Sequence, residues 1–232
     1  MSLQTLASAT APARYKAGTT DTRAAIVSVA ERWCRRVGFR RTAVADIAAE
    51  LGMSPSNVFR FFSSKAVLGD AVAERVLGGI VETLHGVVAR ADLAPPDRLR
   101  ALLLAWVETT ATVLGTDDHM RELIEAGMGE SWKACAEHTN QIDRLLRLTL
   151  ESGAVSGDFA VRDVAVSVGC VRAAMLAFTY PGLLGQAAPD TTPRQIVAFV
   201  LYAVSVGRCA PPSAWPETAK RPRSFCATEE PS

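Results

Sequence analysis

The chain has only three histidines in 232 residues, His85, His119 and His138, and none sits in an H-E-x-x-H pattern. G-x-S-x-G, P-loop and G-x-G-x-x-G spacings are also missing, so the common hydrolytic, phosphoryl-transfer and dinucleotide signatures have no foothold here. Although His119 and Glu122 could share a helix face, two residues do not make a hydrolytic site, and the chain is not expected to be an enzyme. Cysteine is scattered and odd in number (Cys34, Cys135, Cys170, Cys209, Cys226), with no C-x-x-C pair. Neither structural zinc nor a disulfide framework is supported, and no cofactor is expected. Cys34 reads as core, and nothing local marks Cys135 or Cys170 as a thiolate. No run of about twenty residues is apolar and charge-free enough to span a bilayer. The Ala-, Ser- and Thr-rich first twenty residues lack the apolar centre of a signal peptide, which makes a cytoplasmic protein without membrane association the expectation. Alternating strand patterns are likewise missing, and an all-α fold follows.

What is present begins at about Asp21. Ile26, Val29, Ala30, Trp33, Cys34 and Val37 recur at three- and four-residue intervals and predict a first helix, stopped by Gly38. Phe39 is placed to fold back on that stripe. Thr42 offers a capping oxygen to a second helix carrying Val44, Ile47, Ala48 and Leu51, and Gly52 ends it. Ser54 followed by Pro55 is a helix start, because Ser caps and Pro tolerates the first helical position. A third helix then runs to about Phe62, with Val58, Phe59, Phe61 and Phe62 shared between packing and an outer face while Ser56, Asn57 and Arg60 point away. Ser63 or Ser64 caps a long fourth helix through Leu68, Val72, Val76, Ile80 and Leu84. Two short helices around a Gly-Met-Ser-Pro turn make a helix-turn-helix, whose second helix enters a DNA major groove.

The run Thr22-Arg23, Gly38-Phe39, Thr42, Asp46-Ile47-Ala48, Leu51-Gly52-Met53-Ser54, Asn57-Val58-Phe59-Arg60-Phe61-Phe62 and Ser64-Lys65 resembles the N-terminal domain of tetracycline-repressor-type (TetR) transcriptional regulators. It departs from the family's usual residues at Ser56, at Phe59 and Phe61, where tyrosine is common, and at Ala66, where glutamate is common. The resemblance implies an N-terminal DNA-binding domain and a larger C-terminal helical domain for ligand sensing and dimerisation. The expected organisation is a flexible arm over 1–20, the helix-turn-helix over 21–67, the regulatory and dimerisation domain over 68–209, and a flexible Pro-rich tail over 210–232. Charge agrees. Residues 1–65 hold ten Lys and Arg against four Asp and Glu, whereas the remainder holds fifteen against twenty, although the whole chain carries only +1. A basic head on an acidic body suits a phosphate-binding module joined to a body that avoids DNA.

Beyond Ala94-Pro95-Pro96-Asp97, helical spacing predicts a fifth helix from Leu99 to Leu114. A short sixth one is capped near Asp117 and stopped by Gly127, and a seventh runs from Trp132 and ends by Gly153. From Val161 to Tyr180 apolar residues point nearly all round. Thr192-Pro193-Arg194-Gln195 opens the last helix with a capping box. Those two helices have more apolar surface than one subunit is expected to cover. They are read as the homodimer interface, with a buried central helix in a monomer as the other possibility.

Base-edge candidates are Ser56, Asn57 and Arg60, since Arg to guanine and Asn to adenine are favoured bidentate pairings. Thr42, Ser54 and Lys65 are assigned to phosphates at helix starts, and Arg23 to a further charge contact. Phe59 reads either as a contact to sugar or a thymine methyl or as core. For a small-molecule effector the candidate lining is Trp106, Met120, Met128, Trp132, Cys135, Met175, Phe178 and Tyr180, with His119 and His138 as polar anchors, although Met and aromatic residues at this spacing also serve as core. The functional expectation is a ligand-responsive regulator, a repressor released from a palindromic double-stranded operator by a small molecule. The alternative is a repressor-shaped dimeric small-molecule-binding protein with weak or non-specific DNA binding.

Overall fold

A computed structural model describes residues 19–184 and 191–206, in which helices are joined by turns and short irregular segments. The Pro-rich tail, Cys209, Cys226 and the first eighteen residues of the expected arm lie outside the described residues. In order the helices are α1 (Thr19–Val37), α2 (Val44–Glu50), α3 (Pro55–Phe61), α4 (Lys65–Val88), α5 (Pro95–Thr110), α6 (Asp118–Gly129), α7 (Lys133–Ser156), α8 (Val164–Thr179) and α9 (Pro193–Val206). The first three, with the start of α4, form a small head. The remaining helices form the body, in which α4 packs on α7 and α5, and α5 also meets α7, α8 and α9.

The head is built by its apolar stripe. Ile26, Val29, Ala30 and Cys34 of α1 are buried with Ile47 and Ala48 of α2, Val58 of α3, and Phe62. Burial raises the Cys34 thiol pKa, in keeping with a core residue. Glu50 at the end of α2 accepts a hydrogen bond from Trp33 Nε1 at 2.7 Å and pairs with Arg32, fastening α2 to α1. Thr42 does not cap α2. The residue before that helix is Ala43, which gives no side-chain cap, while the Thr42 hydroxyl is buried and donates 2.9 Å back to the Gly38 carbonyl. Gly38 has a φ of +86°, so the chain reverses there, and Thr42 satisfies the carbonyl that the reversal exposes.

Three helix starts are capped as their sequences predict. Ser54 accepts from Asn57 N at 3.3 Å, Ser64 from Val67 N at 3.1 Å, and Asp117 from Met120 N at 3.0 Å. The capping box of α9 is complete: Gln195 Oε1 accepts from Thr192 N at 2.8 Å, and Thr192 Oγ1 accepts from Gln195 N at 3.3 Å. Three helix ends differ from expectation. A five-residue π turn, Ala111–Gly115, follows α5, so the apolar pattern through Leu114 continues on a widened coil. Gly127 lies inside α6, which continues to Gly129, and its missing side chain leaves room for Trp132. Gly153 likewise lies inside α7, which runs to Ser156 and is capped by Gly157 with φ +81°. A Cβ on Gly153 would lie 2.0 Å from the Phe159 ring, which folds back onto the helix at that point.

Candidate functional site

The outer face of α3 and its two caps is built by division of labour within nine residues, 54–62. Val58 and Phe62 point inward and are buried, which leaves Ser54, Ser56, Asn57 and Arg60 exposed on the other side. Phe59 is 47% exposed, so of its two readings the surface one describes its position. Arg23 is exposed on α1, with its guanidinium 4.9 Å over the Phe62 ring, and is thereby held beside the end of α3. At the start of α4, Lys65 donates to the Arg40 carbonyl at 2.9 Å and lies 5.0 Å over the Phe39 ring. Its ammonium has further donors in hand. Thr42 departs from the expected phosphate set, since the residue is only 4% exposed and its hydroxyl is turned inward to the Gly38 carbonyl.

In the body, α4 to α8 line a partly open cavity of about 600 Å³. Five of the eight expected lining residues, Trp106, Met128, Trp132, Cys135 and Tyr180, line it, and so does His138. Met120 and Met175 are wholly buried in the core instead, and Phe178 also lies outside the lining. His119 is elsewhere, at the start of α6 against Gly38, where a Cβ added to the glycine would meet its Nδ1 at 3.2 Å. Sequence reasoning missed Thr110, Thr139, Arg172 and Thr179 in the wall. Thr110 carried a signal, a hydroxyl one helical turn from Trp106 on an otherwise apolar stripe.

Burial governs the chemistry of the wall. It pushes the Cys135 thiol up to about 11, so a protonated thiol faces the cavity at neutral pH. It also lowers His138 to about 4, against the opposing effect of a hydrogen bond to the Leu77 backbone, so this imidazole is neutral. Nδ1 of His138, Nε1 of Trp106 and Oγ1 of Thr110 are shielded from solvent with no hydrogen-bond partner.

One lining residue also touches the head. Ser131 adopts a φ of +56°, turning the chain so that Trp132 N bonds the Gly127 carbonyl at 2.7 Å, and Trp132 Nε1 donates to Glu130 at 2.9 Å. Held this way, the Trp132 ring meets Phe39 of the head edge-on at a centroid distance of 5.5 Å. The two rings crowd Gly69 of α4, where a Cβ would lie 2.5 Å from Trp132 and 2.7 Å from Phe39. A second link is ionic: Arg35 of α1 pairs with Asp117, the cap of α6, at 2.7 Å and with Glu31 at 2.9 Å, and Glu31 also holds Arg75 of α4 at 3.0 Å.

Among the described residues no group of three His, Cys, Asp or Glu is arranged to hold a metal ion, and no helix is long and apolar enough to cross a membrane.

An all-helical body carrying a small head with an exposed second helix of a helix-turn-helix defines a DNA-binding regulator fold. Family models agree along most of its length: residues 26–72 match bacterial regulatory proteins of the tetR family, and residues 95–200 match the tetracyclin repressor-like C-terminal domain. The chain belongs to the TetR family of transcriptional regulators. Solved structures share its fold. A candidate transcriptional regulator from Pseudomonas aeruginosa PAO1 is 22% identical over 80% of this chain and 89% of that one, with a TM-score of 0.60. A TetR-family regulator structure from Mesorhizobium loti is 14% identical over 82% and 96%, with a TM-score of 0.62. RolR in complex with resorcinol is 19% identical over 80% and 88%, with a TM-score of 0.54. No curated protein matches the chain.

Proposed function

We propose that the protein is a ligand-responsive regulator that, as a homodimer, occupies a palindromic operator in double-stranded DNA and is released by a small molecule. The observation that carries this reading is the pairing of an exposed reading face, Ser56, Asn57 and Arg60 on α3, with a roomy cavity whose wall residue Trp132 touches the head. Ser56, Asn57 and Arg60 read bases, Ser54, Lys65 and Arg23 hold phosphates, and Phe59 meets sugar or a thymine methyl. Dimerisation through α8 and α9 is supported by apolar side chains outside the core: Val166 and Leu176 on α8, and Phe199 and Tyr202 on α9, the last two 63% and 67% exposed. A face that apolar on a soluble monomer favours self-association. RolR, of similar fold, has been solved in complex with resorcinol, which supports a small-molecule effector for a protein of this fold.

Selection of bound fragments from random duplexes, followed by a salt series on the best one, tests the reading. The expected product is a palindrome. Arg60→Ala or Asn57→Ala should cost about 1–3 kcal/mol on it and little on random duplex, whereas Lys65→Ala should weaken both and flatten the salt slope. Equal affinity of the unaltered protein for selected and random duplex would favour the alternative of weak, non-specific DNA binding.

A further inference from the structure

The cavity's inner and outer walls differ. Its deep lining, Leu77, Ile80, Trp106, Leu114 and Ile124, comes from α4, α5, α6 and the turn between the last two, and is buried. Its exposed lining is Ser131, Ala136, Gly169, Ala173, Leu176 and Tyr180, and four of these six lie on α8 and its C-cap. Spacing of four, three and four residues puts those four on one stripe of the helix. The mouth of the cavity therefore opens along the outer side of α8.

That stripe adjoins the face already read as the contact with a second copy. Ala173 lies about 20° round the helix from the exposed Val166, and Leu176 belongs to both the mouth and that face. On the α9 side of α8, Val166, Cys170, Ala174, Phe199 and Ala203 line a second hollow of about 350 Å³. α8 is thus a ridge between two hollows. Gly169, Cys170 and Ala173 are exposed on its crest, and side chains that small let another helix approach closely.

Charge says what kind of partner fits. α8 and α9 are sixteen and fourteen residues long and hold one charged residue each, Arg172 and Arg194. Arg172 is paired with Asp143 at 3.4 Å. A nucleic acid or a strongly charged protein finds little to match on this surface, whereas a second copy meets its own apolar side chains across a two-fold axis.

We propose that the second subunit completes the cavity: docked on α8 and α9, it closes the mouth over a flat, largely apolar molecule held against Trp106, Trp132 and Tyr180. This rests on the homodimer and effector readings above and adds that the effector site is incomplete in one subunit. Binding sites cover most of their ligand's surface, and leaving about 60 Å² of apolar ligand surface in water is a factor of about ten in affinity. The dimer should therefore hold the molecule at least about tenfold tighter than a single subunit does. By linkage, each bound molecule tightens the dimer by the same factor.

Phe199→Glu combined with Tyr202→Glu places charge on the exposed face of α9, outside the cavity lining. Sedimentation should show this variant to be monomeric, and circular dichroism should show it folded. If it does not fold, Val166→Glu, also outside the lining, takes its place. The probe is 2-naphthol, and fluorescence titration should find it bound at least about tenfold more weakly by the monomeric variant than by the unaltered dimer. Ala136→Cys reads the cover without any ligand. Ala136 is on the α7 rim of the mouth, so an interface confined to α8 and α9 leaves it open. Maleimide modification at position 136, located by mass spectrometry, should be at least about tenfold slower in the dimer than in the monomeric variant carrying the same substitution. Equal probe affinity in dimer and monomer, no binding by the dimer, or equal labelling of position 136 in both would overturn the proposal and leave the homodimer reading standing. An unaltered protein found monomeric would remove both. Duplex affinity is measured in parallel: tighter binding of the probe by the dimer without any change in it would uphold the proposal and remove only release by a small molecule.

Discussion

Two glycines of α4 provide a test of the junction between head and body, with an internal control. Gly69 lies where Trp132 and Phe39 converge, and a Cβ there would sit 2.5 Å from one ring and 2.7 Å from the other. Ordinary contact needs about 3.4 Å or more, so each ring would have to retreat by roughly 1 Å, well beyond what a packed interior absorbs freely. Trp132 is hemmed in on its other side, since a Cβ on Gly127 would also come within 2.7 Å of it. Overpacking of this kind costs about 1–3 kcal/mol, against a gain of about 1 kcal/mol from replacing a mid-helix glycine by alanine. Gly79, on the same helix, is exposed, and a Cβ there meets nothing within 4 Å. Gly79→Ala should therefore stabilise by up to about 1 kcal/mol, whereas Gly69→Ala should lose up to about 2 kcal/mol. Urea unfolding followed by circular dichroism would measure the gap between the two, expected at about 1–3 kcal/mol. In melting temperature it amounts to roughly 2–12 °C. Equal stabilisation by both alanines would refute the account of the junction.

Two further outcomes follow from charge and capping. His138 has a folded pKa of about 4, below the roughly 6.5 of an unfolded histidine, so the unfolded chain takes up a proton that the fold refuses. Its contribution should leave stability unchanged above pH 6.5 and lower it progressively as pH falls toward 4, by about 2 kcal/mol at pH 5. The difference between unaltered protein and His138→Phe, read from urea unfolding across pH 5–7.5, should shrink toward acid by that amount; a constant difference would contradict the buried neutral ring. At the α6 cap, Asp117→Asn keeps the acceptor for Met120 N but discharges the pair with Arg35, and should cost less than about 1 kcal/mol. Asp117→Ala loses both and should cost about 1–2 kcal/mol in the same assay.

The head was legible because its signals are local. Ser54 before Pro55 specifies a helix start regardless of what surrounds it, and Thr192 with Gln195 does the same for α9. Thr42 was misread because a Thr at a helix start has two local partners, the amides ahead and the carbonyl behind, and only the reversal at Gly38 decides between them. Gly153 shows the same ambiguity at longer range. A glycine in a helical pattern marks either an end or a close approach, and the approach of Phe159 depends on the turn after Gly157. The cavity was only half legible for a related reason. Helical spacing tells which side chains face inward, but Met120 meets packed neighbours while Met128, two turns later on α6, meets open volume. That difference is set by where α7 and α8 lie, which periodicity does not encode.

The junction residues also bear on how a small molecule could alter DNA affinity. A ligand shifts an equilibrium only by its difference in affinity between two states, and about 1.4 kcal/mol of difference is a factor of ten. Edge-to-face aromatic pairs contribute about 0.5–1.5 kcal/mol, so the contact between Trp132 and Phe39 is of the right size to carry such a factor. Phe39 in turn lies beneath the Lys65 ammonium, which also holds the Arg40 carbonyl. A molecule that displaces Trp132 within the cavity therefore acts, through one ring, on the residue assigned to phosphate at the first turn of α4. The ionic route through Asp117, Arg35 and Glu31 approaches the same helix from α6 and ends on Arg75. Both routes converge on α4, which alone among the described helices has residues in the head, in the cavity wall and against both of these contacts, so its position is the variable that effector and DNA would have in common.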